Sequence, residues 1–166
     1  MNSKVSAVQP LIDEHRQVLV KLDALEAIFK NLERKEENAA GLKELMAFFE
    51  KAFWVHFDKE EQALFPEFDS FMPHGAGPLA VMIEEHGVLR DTNEVLQEAV
   101  ARYLGDGDNA PTRRTIEESG MHFIEFLRGH IFKEDRMFPQ LADMHLGESQ
   151  NARVLALFAK MEQSSE

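Results

Sequence analysis

Apolar residues recur along this chain every three or four positions, the period of one helix face. Between about Pro10 and Arg34 that face reads Val8, Leu11, His15, Val18, Leu22, Leu25, Phe29 and Leu32, apolar throughout except for His15. Pro10 suits a first helical turn, where its missing N–H would be unpaired in any case. A second helix is predicted from Asn38, as its N-cap, to Phe65. Its inner face carries Leu42, Leu45, Phe49, Phe53, His56, Glu60 and Leu64, and Pro66 is expected to end it. Residues 66–78, PEFDSFMPHGAGP, read as a connector rich in proline and glycine. A third helix is predicted from Pro78 to Leu104, with Leu79, Met82, His86, Leu89, Asn93, Leu96, Val100 and Tyr103 on one face. After a turn at 105–111, GDGDNAP, a fourth runs from Thr112 to Phe138 and stops at Pro139. It turns Ile116, Phe123, Leu127, His130, Glu134 and Met137 inward. A last amphipathic stretch, about 150–162, has Val154, Leu155, Phe158 and Met161 on one side.

No strand-like alternation of useful length accompanies these helices. Four long helices with short links predict an all-α fold, an up-down-up-down four-helix bundle with a short additional C-terminal helix. The expected bundle spans about residues 10–140. A length of 166 residues suits one domain, 1–166, with one sizeable core.

Composition narrows the chemistry. With 18 Lys and Arg against 30 Asp and Glu, the net charge is −12. A surface this acidic repels nucleic acid and anionic lipid, so neither is expected as a partner. The absence of cysteine excludes disulfides, thiolate zinc sites, iron–sulfur clusters and thiol catalysis. No apolar run approaches the ~18–20 residues of a membrane span. Met1 to Pro10 lacks the basic end and apolar run of a signal peptide. A soluble cytoplasmic protein is the expectation.

The polar exceptions on the inner faces share a pattern. The predicted second helix carries His56 and Glu60, the fourth His130 and Glu134. Each pair is spaced i, i+4 and lies on one face, about 6 Å apart along the axis. The first and third helices each contribute one histidine, His15 and His86. The chain also repeats itself. HFDKEEQALFP at 56–66 matches HIFKEDRMFP at 130–139, and Glu14-His15 matches Glu85-His86. Two helical hairpins, each with one His and one HxxxE pair, would fold about a pseudo-two-fold and gather four imidazoles and two carboxylates. Burying these groups in an apolar core is costly without partners. Two divalent cations would satisfy all of them, each held by two His, with both Glu bridging ions ~3.5–4 Å apart. Mixed imidazole and carboxylate donors fit iron, zinc or manganese and do not choose among them.

His15, His56, Glu60, His86, His130 and Glu134 resemble the ligand pattern of the hemerythrin-like (HHE cation-binding) family, over roughly residues 10–140. The resemblance implies a non-haem di-iron centre (Fe2+/Fe3+), oxo- or hydroxo-bridged, with zinc or manganese as substitutes. It implies a small diatomic ligand, oxygen or nitric oxide, and a role in binding or sensing these or the redox state. Family members also include iron-responsive and iron-centre repair proteins. Oxygen carriers of the family have HxxxH on the third helix, whereas Arg90 stands there here. An arginine does not ligate metal, which argues against simple oxygen carriage. The alternatives are a di-iron enzyme for oxygen or peroxide chemistry, iron storage or delivery, and iron-centre repair. The His-x-x-x-Glu order, reversed from the Glu-x-x-His of ferritin-like stores, speaks against storage. No catalytic residue is assigned, and protein partners stay open.

The other polar residues have plainer readings. Lys59 and Lys133 are expected on solvated flanks, and Glu14 and Glu85 at the surface or behind the ligands. His74, His122 and His145 are expected to face solvent or a flank. Asn93, two turns beyond His86, is a candidate for orienting a ligand or bound water.

Overall fold

The structure is a computed structural model that describes residues 5–72 and 77–165. Its described residues form helices and links without strand. Helix α1 is Gln9–Phe29. The second arm, α2, covers residues 35–69. Helices α3, α4 and α5 are Pro78–Leu104, Ala110–His145 and Glu148–Ser164. His74 lies outside the described residues. No described helix is long and apolar enough to cross a membrane.

The expected helices are all present, with boundaries moved for local reasons. The first ends at Phe29 rather than Arg34. Leu32 keeps the apolar period because it tucks into the core from a turn, where its carbonyl accepts the Tyr103 hydroxyl. Asn38 is not an N-cap, since α2 starts at Lys35. Its side chain instead donates to Asn31 O across the link at 3.0 Å. Helix α4 begins at Ala110, two residues before Thr112, because Asn109 caps it by accepting from Thr112 N at 2.9 Å.

Neither proline ends its helix. Pro66 falls at the start of a fresh α-helical segment, Phe65–Asp69, where a missing N–H costs little. Pro139 lies inside α4. An interior proline costs about 3 kcal/mol, and burial of Phe138 beside it returns about 1.5–3 kcal/mol.

The α2 arm is not a plain α-helix. It alternates Lys35–Ala47, a π-helical turn Phe48–Ala52, Phe53–Lys59, a second π-turn Glu60–Leu64, and Phe65–Asp69. A π-turn houses one extra residue without turning the rest of the helix out of phase. The sequence repeat explains the second one. Four residues separate Glu60 from Phe65, but only three separate Glu134 from Phe138. The extra residue is absorbed at 60–64, so Phe65 and Phe138 both still face inward and pack ring to ring, 5.9 Å between centroids. The first π-turn loosens carbonyls that side chains of α3 and of α2 itself then satisfy. Asn93 Nδ2 and Trp54 Nε1 donate to Phe49 O at 3.0 and 2.8 Å, and Gln97 Nε2 donates to Met46 O at 2.9 Å. Asn93 is thus spent on backbone, not on a ligand.

The core has two apolar clusters. One gathers Leu22, Leu25, Phe29, Phe49, Leu96, Phe123 and Leu127. The other gathers Leu11, Leu64, Phe65, Phe68, Met82, Phe138, Val154 and Phe158, which brings α5 onto the bundle. Helix α4 meets α1 closely at Gly120, where an added Cβ would lie 2.5 Å from the Phe29 ring. Between the clusters runs a layer of buried polar side chains.

Candidate metal centre

That layer holds His15, His56, Glu60, His86, His130 and Glu134, each 5% exposed or less. Helical phase puts them there. His15 lies one turn from Leu11 and Val18, and His86 one turn from Met82 and Leu89, all core residues. The α2 and α4 arms supply the i, i+4 pairs. Aromatic rings set the imidazole planes. His86 stacks on Phe57 at 3.7 Å between centroids and 8° between planes, with Phe65 nearly parallel at 6.0 Å.

The imidazoles converge in pairs. His15 Nε2 and His56 Nε2 are 3.0 Å apart, and His86 Nε2 and His130 Nε2 are 3.2 Å apart. That is the spacing of two nitrogens bound near right angles to one ion at about 2.1 Å. Glu60 lies between the pairs. Its Oε2 is 2.6 Å from His56 Nε2 and 3.7 Å from His15 Nε2, while its Oε1 is 3.1 Å from His86 Nε2. Glu134 does the same from the other arm. Its Oε1 is 3.2 Å from His15 Nε2, and its Oε2 is 3.2 Å from His130 Nε2 and 3.7 Å from His86 Nε2. Two donor groups result, one of His15, His56, Glu60 and Glu134, the other of His86, His130, Glu60 and Glu134. Each could hold one ion, with both carboxylates common to the two.

The donors fit a cation better than they fit one another. All four carboxylate oxygens of Glu60 and Glu134 are buried without an aligned hydrogen bond, and so is His86 Nδ1. Buried polar atoms left so are rare and costly. Close approach without directed hydrogen bonds is what ligands around a shared ion present.

A carboxylate stands behind every imidazole. Asp135 Oδ1 is 2.6 Å from His15 Nδ1, Glu14 Oε2 is 3.3 Å from His56 Nδ1, and Glu85 Oε1 is 3.0 Å from His130 Nδ1. Glu61 Oε1 is 3.3 Å from His86 Nδ1, in ion-pair reach but poorly aligned. Such partners fix the imidazole tautomer so that Nε2 faces the centre. Glu14 and Glu85 therefore lie behind the ligands, one of the two places expected for them. Asp135 and Glu61 escaped the sequence reading. The signal was present, since an acidic residue directly follows both Glu60 and Glu134.

Lysines extend the pattern outward. Lys59 is not on a solvated flank. It is buried and donates to Glu14 at 2.8 Å and to Glu162 of α5 at 2.7 Å. Lys133 is half exposed but pairs with Glu85. Arg90 turns to Glu61, at 2.9 and 3.4 Å, and to the rings of Trp54 and Phe57. Its guanidinium is part of the surround, not of the cluster. His122 is exposed as expected, and His145, partly buried, stacks on Phe71.

Electrostatics show what the donors do without an ion. Burial works against a charged His15, but the hydrogen bond to Asp135 and the nearby carboxylates of Glu134 and Glu60 outweigh it and raise its pKa to about 11. His86 behaves alike. Burial is overcome by Glu134, Glu60 and Glu61, and its pKa also rises to about 11. Burial opposes the charge on His56 too, yet Glu60 and Glu14 raise its pKa. Burial would lift the Glu60 carboxyl, but His56, His15 and His86 hold it well below the usual range. Glu61 likewise falls to about 2 despite burial, through His86 and Arg90. Protons on imidazoles therefore stand in for positive charge, and a metal ion would displace them.

A helical bundle with two His/Glu donor groups at its waist has the architecture of a cation-binding protein. The family model of the hemerythrin HHE cation binding domain matches residues 6–141, and the chain belongs to that family. Comparison with curated proteins and with solved structures gives no match.

Proposed function

We propose that this chain is a non-haem di-iron protein that binds or senses oxygen, nitric oxide or redox state. The reading rests on one observation above the rest. All four oxygens of Glu60 and Glu134 are buried without aligned partners between two converging pairs of imidazole nitrogens. His15 and His56 would hold one ion, His86 and His130 the other, and both glutamates would bridge. Two irons so held would supply reversible one-electron chemistry and open positions for a small ligand.

The chain's own groups set the conditions. Asp135, Glu14 and Glu85 orient His15, His56 and His130, and the stacked Phe57 ring orients His86. Phe53, Phe57, Phe65 and Phe138 wall the site and keep bulk water out. A groove of about 1040 Å³ between α1, α2 and the end of α5 is lined by Glu14, His56 and Lys59 on the outer side of the centre. The inner walls carry few further polar groups with which to recognise an organic substrate, which favours binding or sensing over an enzyme. With Arg90 at the third-helix position of oxygen carriers, no long-lived oxygen adduct is expected.

The test is metal content with optical spectra of the anaerobically reduced protein before and after air. Two irons per chain and an air-induced ferric spectrum are expected. One metal or none after anaerobic iron loading would sink the reading, and stable oxygen cycling for hours would overturn the expectation drawn from Arg90.

A further inference from the structure

The pseudo-two-fold that relates the two halves of the centre is broken just outside it. On one side His15 Nδ1 has Asp135 at 2.6 Å, and among the described residues no lysine or arginine pairs with that carboxylate. Its counterpart, Glu61, is held by both arms of Arg90 and reaches His86 Nδ1 only at 3.3 Å, without alignment. A carboxylate bonded to the far nitrogen makes an imidazole a stronger donor, and a guanidinium on that carboxylate takes the effect away.

The lysines break the symmetry in the same sense. Lys59 divides its charge between Glu14 and Glu162, whereas Lys133 pairs with Glu85. Behind His15 and His56 stand Asp135, Glu14 and Glu162 against Lys59, three carboxylates and one cation, for a net −2. Behind His86 and His130 stand Glu61 and Glu85 against Arg90 and Lys133, with Asp58 in electrostatic reach of Arg90 and Glu61, three carboxylates and two cations, for a net of −1. One contact runs the other way. Glu85 is nearer His130, at 3.0 Å, than Glu14 is to His56, at 3.3 Å. That difference is small beside the extra negative charge on the first side and the capture of Glu61 by Arg90.

We propose that the two metal positions are unequal, and that the first ion taken up goes to the His15–His56 side because Arg90 diverts Glu61 from His86. The inference rests on the two-metal reading above. Arg90 is then a positioning residue for the second ion. It sets how far apart the two binding steps lie, and it makes the His86–His130 ion the more readily lost.

The experiment is a titration of the metal-free full chain with Co2+ at low ionic strength, where such charges are least screened. Paramagnetic shifts of 15N-labelled histidine rings locate the ion. At one equivalent the ring signals of His15 and His56 should show the large contact shifts of directly bound ligands, and those of His86 and His130 only through-space shifts. In Arg90→Met, which frees Glu61 for His86, the ratio of the second dissociation constant to the first should shrink by about 10–100-fold. If that variant fails to fold, Glu162→Gln serves, since its side chain is 60% exposed and its loss leaves the first side one charge less negative. There too the ratio should shrink. Simultaneous filling of both pairs, filling of His86 and His130 first, or an unchanged ratio in the variant that folds overturns the inference. Failure to bind Co2+ at all would instead remove the two-metal reading beneath it.

Discussion

At the scale of single residues, the six central side chains fall into two kinds. Each histidine belongs to one donor group, while Glu60 and Glu134 belong to both. Their removal should therefore have different consequences. Glu60→Ala takes a shared donor and half the central negative charge, so both ions should bind poorly. His15→Ala takes one neutral donor from one group and leaves His86, His130 and both carboxylates, so one ion should remain. Glu134→Ala should follow Glu60→Ala, and His86→Ala should also leave one ion, the more tightly held one on the His15–His56 side. Metal stoichiometry of the four variants under one loading protocol decides. Equal loss in histidine and glutamate variants would rule out bridging. The carboxylates behind the imidazoles add a lesson of their own. Asp135 is reachable in sequence only as the acidic neighbour of Glu134, because its partner His15 is 120 residues away.

At the scale of elements, the α2 arm carries the largest departure from expectation. Period and proline predicted one helix stopping at Pro66, yet the arm continues through two π-turns to Asp69. The turn at Glu60–Leu64 accommodates the residue by which the first motif is longer than the second. If so, deleting the exposed Gln62 should convert that turn to plain α-helix and leave Phe65 facing the core. The deletion should keep the fold and two ions, with the melting temperature lowered by less than about 8 °C, the shift of ~1–2 kcal/mol in a domain of this size. Deleting Arg136 from the unbulged counterpart in α4 should turn Phe138 out of register and abolish cooperative unfolding. Equal damage from the two deletions, read by thermal melts and metal content, would discard this account.

At the scale of the whole molecule, the polar layer links metal, protons and stability. His15 and His86 have pKa values raised from 6.5 to about 11 in the metal-free protein, and that of His56 is also raised. Raised imidazoles stabilise the native state fully below 6.5, and the contribution is lost as pH climbs toward 11. The lowered carboxylates, Glu60 and Glu61, contribute above their ordinary 4.5 and lose it on acidification. The metal-free protein should thus weaken as pH rises from about 6.5 to 9. Metal binds the deprotonated imidazoles, so loading gains what the protons give up. Loaded protein should melt higher than chelated protein, and the gap should widen with pH over that range. Melting curves of both forms in matched buffers measure it, and a gap that is absent or narrows with pH contradicts it.

The sequence by itself determined the helical class, the inward faces and the residues that meet at the waist of the bundle. These are legible because helix period is local and because a polar residue on an apolar stripe is costly enough to need a reason. His15, His56, Glu60, His86, His130 and Glu134 each broke a stripe, and the internal repeat tied them together. Only the tertiary structure decided the rest. Whether Pro66 and Pro139 stop a helix depends on what packs beyond them, and Phe68 after the first and Ala142 and Leu146 after the second are buried. Whether Asn93 faces a ligand depends on a carbonyl loosened in another helix. Lys59 reads as a surface lysine until Glu14 and a helix about a hundred residues further on close over it. Arg90 reads as a missing ligand, but its partner is Glu61 on another arm. Such pairings are set by which helix faces meet, and that is a property of the packed bundle rather than of any one segment.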